Sequence, residues 1–145
     1  MPENSPYRPL KFIGIAVLVV ILAVIVSRGT GGGTDRIPWQ TDFPAAQAES
    51  RQTGKPILLY FTASWCGPCQ EMRQTTFSDV TVAAALQKYI PVKIDIDSNS
   101  ALAQSYKIEA IPHFFLLDPG GQVQRSEEGG MATGQFLQWI GGSAN

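Results

Sequence analysis

Cysteine, histidine and net charge are all scarce in this chain. Its 145 residues hold two cysteines, one histidine, and 11 basic against 12 acidic residues, a formal net charge of -1. A near-balance of charge offers no electrostatic case for nucleic acid, whose phosphates require clustered positive charge, so no nucleic-acid partner is expected. Two cysteines are too few for a disulfide-scaffolded mini-protein. They also supply only half of a zinc ligand set, and His113 is the sole histidine that could add to them. Attachment of c-type haem needs a histidine directly after the second cysteine, where this chain has Gln70. No metal and no cofactor is implied.

One stretch lacks charge altogether. FIGIAVLVVILAVIV, Phe12 to Val26, carries no ionisable group. A helix over it rises roughly 22 Å, short of the ~30 Å hydrocarbon core of a bilayer. Lys11 and Arg28 flank it and can snorkel, which lengthens the span. Residues 12–27 are therefore read as a single-pass transmembrane anchor, with a cleaved signal peptide as the alternative. Residues 1–11 form a short tail, 28–36 a Gly-rich linker, and 37–145 the folded domain. Arg8 and Lys11 before the span balance Arg28 and Arg36 after it, so positive charge does not orient it. A short tail ahead of a first span places the N-terminus in the cytoplasm. The domain is then expected to face the periplasm, or an equivalent space, from the inner membrane.

Within the domain, apolar runs alternate with helical patterns. TDFPAAQAESRQTG reads as a helix capped by Thr41 or Asp42 and ended by Gly54. PILLYF is a strand buried on both faces. GPCQEMRQTTF is helical after its Gly-Pro, and a second short helix follows a cap at Ser78 or Asp79, with Val82, Leu86 and Ile90 on one face. VKIDID, Val92 to Asp97, alternates as a strand, and a short helix capped by Ser98 or Asn99 follows it. FFLL, Phe114 to Leu117, is another apolar strand, joined through the turn DPGG to an edge-like QVQRS. TGQFLQWI is a closing helix capped by Thr133, with Phe136, Leu137 and Ile140 buried. The order α-β-α-α-β-α-β-β-α defines an α/β sandwich around a mixed central sheet.

Both cysteines fall in WCGPC, between an apolar strand and a helix. A bond between Cys66 and Cys69 closes so small a loop that it removes little chain entropy, so its value is redox and not mechanical. Cys66 stands at the first turn of the helix, where unpaired N–H groups and the helix dipole favour its thiolate. Pro68 has no N–H to lose there. Cys69, one turn in, is expected to be the more buried thiol.

WCGPC after ILLYFTAS resembles the active site of the thioredoxin family. AIPHFFLL is similar to the segment that carries that family's cis-proline, with Pro112 in that place, and GGMATGQFLQWI to its closing loop and helix. TFSD, Thr76 to Asp79, further resembles the C-terminal thioredoxin-like domain of periplasmic thiol:disulfide interchange proteins. The resemblance implies a thioredoxin-like fold and a thiol–disulfide oxidoreductase. It implies Cys66 and Cys69 as the catalytic pair, with Trp65, Gly67, Pro68, Ile111 and Pro112 forming the substrate-binding rim. Protein disulfides are the implied substrates, and a membrane thiol carrier the electron donor. The Gly-Pro between the cysteines resembles the reducing members. A disulfide-forming oxidase or isomerase, and a non-catalytic binding module, are the alternatives.

The chain also departs from the family. The strand before the first cysteine carries a buried aspartate in thioredoxin, and Tyr60 stands in that place. Lys93 matches the nearby lysine, and Gln74 replaces the proline that kinks the active-site helix. The proton acceptor for Cys69 is therefore unassigned, with Glu71 one candidate. His113 is read as a strand residue, and Trp39 and Trp139 as packing residues.

Overall fold

The computed structural model describes residues 34–142. The tail, the anchor-or-signal segment and residues 28–33 of the linker lie outside the described residues. Among the described residues no helix is long and apolar enough to cross a membrane.

Helix α1 spans Phe43–Thr53, with Asp42 as the N-cap accepting from the Ala45 N–H. It ends at Gly54, whose φ of 72° is a left-handed conformation that an L side chain resists. Strand β1, Ile57–Thr62, follows. Helix α2, Gly67–Gln74, starts directly after Cys66, and a 3₁₀ turn at Thr76–Ser78 separates it from α3, Val80–Leu86. Asp79 caps α3 through the Thr81 and Val82 amides. Strand β2, Ile90–Asp95, leads to α4, Ser100–Ser105, then the hairpin of β3, His113–Leu117, and β4, Val123–Glu128. Helix α5, Thr133–Gly141, closes the chain.

The sheet order is β2-β1-β3-β4. β1 runs parallel to β2 and antiparallel to β3, and β3 pairs antiparallel with β4. The sheet is mixed, as the element order requires. Its period-2 alternation divides two cores. Leu58, Tyr60, Phe114 and Leu116 face α2, α3 and α5 together with Phe77, Val82, Leu86, Phe136 and Ile140. Ile57, Leu59, Phe61, Val92, Ile94, Phe115 and Leu117 face Phe43 of α1 and Ala103 of α4.

Several boundaries differ from the sequence reading; α2, for one, stops at Gln74 and does not run on through Phe77. Ile90 does not extend the α3 stripe: α3 ends at Leu86, and Ile90 opens β2 opposite Ile57. An i, i+4 spacing cannot see where a helix stops. The strand thus begins two residues earlier and ends two earlier than VKIDID, because Asp95 turns to accept from the Asp97 and Ser98 amides. Thr133 is the first helical residue and not the cap. Ala132 holds that place, and Gln135 Oε1 accepts its N–H at 3.2 Å.

Candidate active site

Cys66 caps α2. Its sulfur accepts the Cys69 N–H at 3.2 Å, one of the orphan donors of the first helical turn. The two sulfurs form a disulfide, with Cα atoms 5.3 Å apart. Backbone N–H pointing at Cys66 Sγ is what stabilises negative charge there once the bond opens. Residue exposure does not separate the two thiols, since both are 3% exposed. Both belong to one core cluster, and their positions separate them: Cys66 is the N-cap beside the Ile111–Pro112 backbone, and Cys69 is the third residue of α2.

The Ile111–Pro112 peptide bond is cis, and the Ile111 carbonyl oxygen lies 3.7 Å from Cys66 Sγ. Pro112 is buried, Ile111 half-buried, and Gly67 and Pro68 are exposed at the helix start. Trp65 is 64% exposed, and its indole N–H donates to Asp97 Oδ2 at 2.9 Å. The residues named for substrate binding thus surround one dithiol, brought together from the β1–α2 junction and the loop before β3.

Tyr60 is 2% exposed, stacked on Phe114 and packed against Trp39 and Phe77. Burial pushes its pKa up to about 12, against the Thr62 hydrogen bond that lowers it. It is a neutral phenol at physiological pH and takes no proton from Cys69. A cavity of about 530 Å³ opens on the Cys69 side of α2, lined by Asp35, Tyr60, Cys69, Arg73, Lys93 and Asp95 among others. Glu71 lines a different cavity, of about 310 Å³, with Pro68, Met72 and Gly130. Helix α2 therefore carries Cys69 and Glu71 to different sides.

His113 stacks on Phe115 with ring centroids 4.5 Å apart. Its Nδ1 lies 3.7 Å from Glu128 Oε2 and has no hydrogen-bond partner. Burial lowers its pKa, outweighing the Glu128 and Glu127 carboxylates that raise it. Glu128 is half exposed and its field is screened by water, so the imidazole is neutral.

Three contributors escaped the sequence reading. Asp97 holds the Trp65 indole. Thr76, fully buried, donates to the Met131 carbonyl at 2.8 Å and fixes the loop before α5. Asp35, assigned to the linker by composition, accepts from the Ile37 N–H and the Trp39 indole N–H. The one sequence signal for any of them is TFSD, which begins at Thr76.

A strand-to-helix dithiol at an uncovered helix N-terminus, opposed by a cis-proline, defines a thiol–disulfide oxidoreductase of the thioredoxin type. The Thioredoxin-like family model matches residues 38–119, and the chain belongs to that family. An H-type thioredoxin of Fagopyrum esculentum is 35% identical, over 60% of this chain and 69% of its own length. Thiol:disulfide interchange protein DsbD 1 of Pseudomonas aeruginosa is 35% identical over 83% of this chain, but over only 25% of its own length. The oxidised DsbD C-terminal domain of Neisseria meningitidis superposes with a TM-score of 0.60 at 25% identity, covering 71% of this chain and 97% of that one. The chain spans 80% of the length of the chloroplastic thioredoxin Y of Oryza sativa subsp. japonica and 48% of that of the chloroplastic thioredoxin Y1 of Arabidopsis thaliana.

Proposed function

We propose that the chain is a membrane-tethered reductase of protein disulfides outside the cytoplasm. The observation that carries the dithiol chemistry is the Cys69 N–H aimed at Cys66 Sγ beneath the Ile111–Pro112 backbone. As a thiolate, Cys66 attacks one sulfur of a partner disulfide. The partner's other sulfur leaves with the bonding pair, and a mixed disulfide joins Cys66 to the partner. Cys69, as a thiolate, then attacks Cys66 Sγ and expels the partner's second sulfur. The partner gains two electrons and two protons, and Cys66–Cys69 becomes the disulfide. Trp65, Gly67, Pro68, Ile111 and Pro112 form the face on which the partner segment lies.

The reducing direction is supported by the Gly-Pro between the cysteines and by the thiol:disulfide interchange relatives. The tether is supported by the uncharged span from Phe12 to Val26. A membrane thiol carrier would return the electrons.

Equilibration with a thiol–disulfide buffer tests the direction. A reductase poises near about -270 mV, and an oxidase near about -120 mV. Trapping with Cys69→Ala in cells tests the rest: the variant should accumulate mixed disulfides with extracytoplasmic proteins through Cys66. An oxidising potential, or no mixed disulfide, would reject the reading.

A further inference from the structure

Resolution of the mixed disulfide requires Cys69 to lose its proton inside an apolar cluster, where burial disfavours the thiolate. Tyr60 cannot accept that proton, and Glu71 faces another cavity. The acceptor must lie on the cavity that Cys69 lines. Its charged or titratable members are Asp35 from the segment before α1, Tyr60 of β1, Arg73 of α2, and Lys93 and Asp95 of β2. Two of these are carboxylates. Asp95 ends β2, its Oδ1 accepting the Asp97 and Ser98 amides at 2.9 and 3.4 Å and its Oδ2 carrying no hydrogen bond among the described residues, so Asp95→Asn is the comparison variant in the test below.

Asp35 is held differently. Its Oδ1 accepts the Ile37 N–H at 3.0 Å, and its Oδ2 accepts the Trp39 indole N–H at 2.9 Å. Each oxygen keeps a lone pair for one more donor. Trp39 is fixed in turn, tilted on Tyr60 and edge-on to Phe77, with ring centroids 5.3 and 5.1 Å apart. The Arg36 N–H donates to the Phe77 carbonyl and its Nε to that of Ser78, which ties the segment to the 3₁₀ turn between α2 and α3. The negative charge of Asp35 reaches Tyr60, whose ionisation it opposes. A water molecule occupies about 30 Å³ in the liquid, so the cavity accommodates several.

We propose that Asp35 is the proton acceptor for Cys69, acting through cavity water, with Trp39 as the residue that positions it. This rests on the two-step dithiol reading above. The Cys69 S–H proton passes through water to the Asp35 carboxylate, and the sulfur keeps the electron pair. That pair forms the Cys69–Cys66 bond as the bond from Cys66 to the partner sulfur breaks. The departing thiolate takes a proton from Asp35 or from solvent, which restores the carboxylate. The family's strand aspartate is thereby replaced by a carboxylate from a different segment, on the cavity that Tyr60 and Cys69 also line.

The test is stopped-flow reaction of the reduced full chain with a chromogenic aromatic disulfide. One aryl thiol is released when Cys66 attacks, and a second when Cys69 resolves. In Asp35→Asn the ratio of the second rate constant to the first should fall by about tenfold or more near neutral pH. The deficit should shrink as pH approaches about 9, where bulk hydroxide ionises a cysteine thiol directly. Trp39→Phe keeps an aromatic ring and removes the N–H, so its ratio should fall by less. It also carries the test if Asp35→Asn does not fold. Asp95→Asn, the comparison variant, should keep the parent's ratio. An unchanged ratio at every pH in the folded Asp35 and Trp39 variants, or a fall in Asp95→Asn as large as that in Asp35→Asn, would overturn the assignment to Asp35. Absence of a first phase assignable to Cys66 in the parent would instead overturn the dithiol reading itself.

Discussion

Tyr60 and Phe114 stack nearly parallel in the core, with ring centroids 4.8 Å apart and planes 11° from each other. They are neighbours across β1 and β3, and the stack fills the space where the family keeps a carboxylate. Tyr60→Phe should therefore cost little, since the hydroxyl contributes only its bond with Thr62 Oγ1 at 3.1 Å. Tyr60→Asp loses the stack and buries a carboxylate. Urea unfolding should show a loss of about 3–5 kcal/mol for it.

The same residue makes the protein sensitive to alkali. The folded state keeps the Tyr60 proton up to a pKa of about 12, whereas the unfolded chain releases it near 10. Between those values the folded state binds more protons, so stability falls as pH rises. The raised pKa of Tyr106, also from burial, adds in the same direction. Tyr60→Phe should flatten the decline, read as the denaturation midpoint at about pH 10 and about pH 11.

His113 acts at the other end of the scale. Its folded pKa is lowered by burial, so stability is fully present above the unfolded value of about 6.5 and is lost as pH falls through the folded one. An NMR titration of the imidazole should give a midpoint below 6.5, and His113→Phe should remove this part of the acid sensitivity. A midpoint above 6.5 would mean that Glu128 and Glu127 outweigh burial.

Thr76 connects the core to the rim. Replacing it with the isosteric valine leaves the Met131 carbonyl without its donor. Loss of such a buried bond costs about 1–3 kcal/mol. Hydrogen exchange should rise selectively at Gly130 and Met131, next to Pro68, whose Cβ lies 3.6 Å from where a side chain on Gly130 would begin.

Trp65 offers exposed apolar area to a partner while Asp97 holds its indole. Trp65→Ala should raise KM for a protein disulfide by roughly 5–30-fold, the equivalent of one or two kcal/mol, with little change in kcat. Asp97→Asn should change KM in the same direction by less.

Much of this was legible in the chain. Asp42 and Gly54 announced the ends of α1, and the apolar runs at Leu58 and Phe114 announced strands covered on both faces. WCGPC and Ile111-Pro112 located the dithiol and the backbone beside it, because those features depend on local turn chemistry. What stayed hidden depends on distant contacts. Nothing local to Asp35 separates it from the glycine-rich run before it; its place is set by Trp39, which is set by Tyr60 and Phe77. Thr76 reads as a polar helix-end residue until Met131 is seen 55 positions away. The turn at Asp95 and the cap at Ala132 are local, made by partners two and three residues on, but the alternation of VKIDID and the Thr133 hydroxyl give the stronger sequence signal there.

The claim on which the account turns is that Cys66, and not Cys69, is the attacking thiol. Brief alkylation of the fully reduced protein at neutral pH, with the labelled peptides quantified by mass spectrometry, tests it most directly. The helix terminus should hold the Cys66 thiol below the ~8.5 of a free cysteine, and Cys66 should be labelled well before Cys69. Equal labelling, or preferential labelling of Cys69, would contradict the assignment of roles.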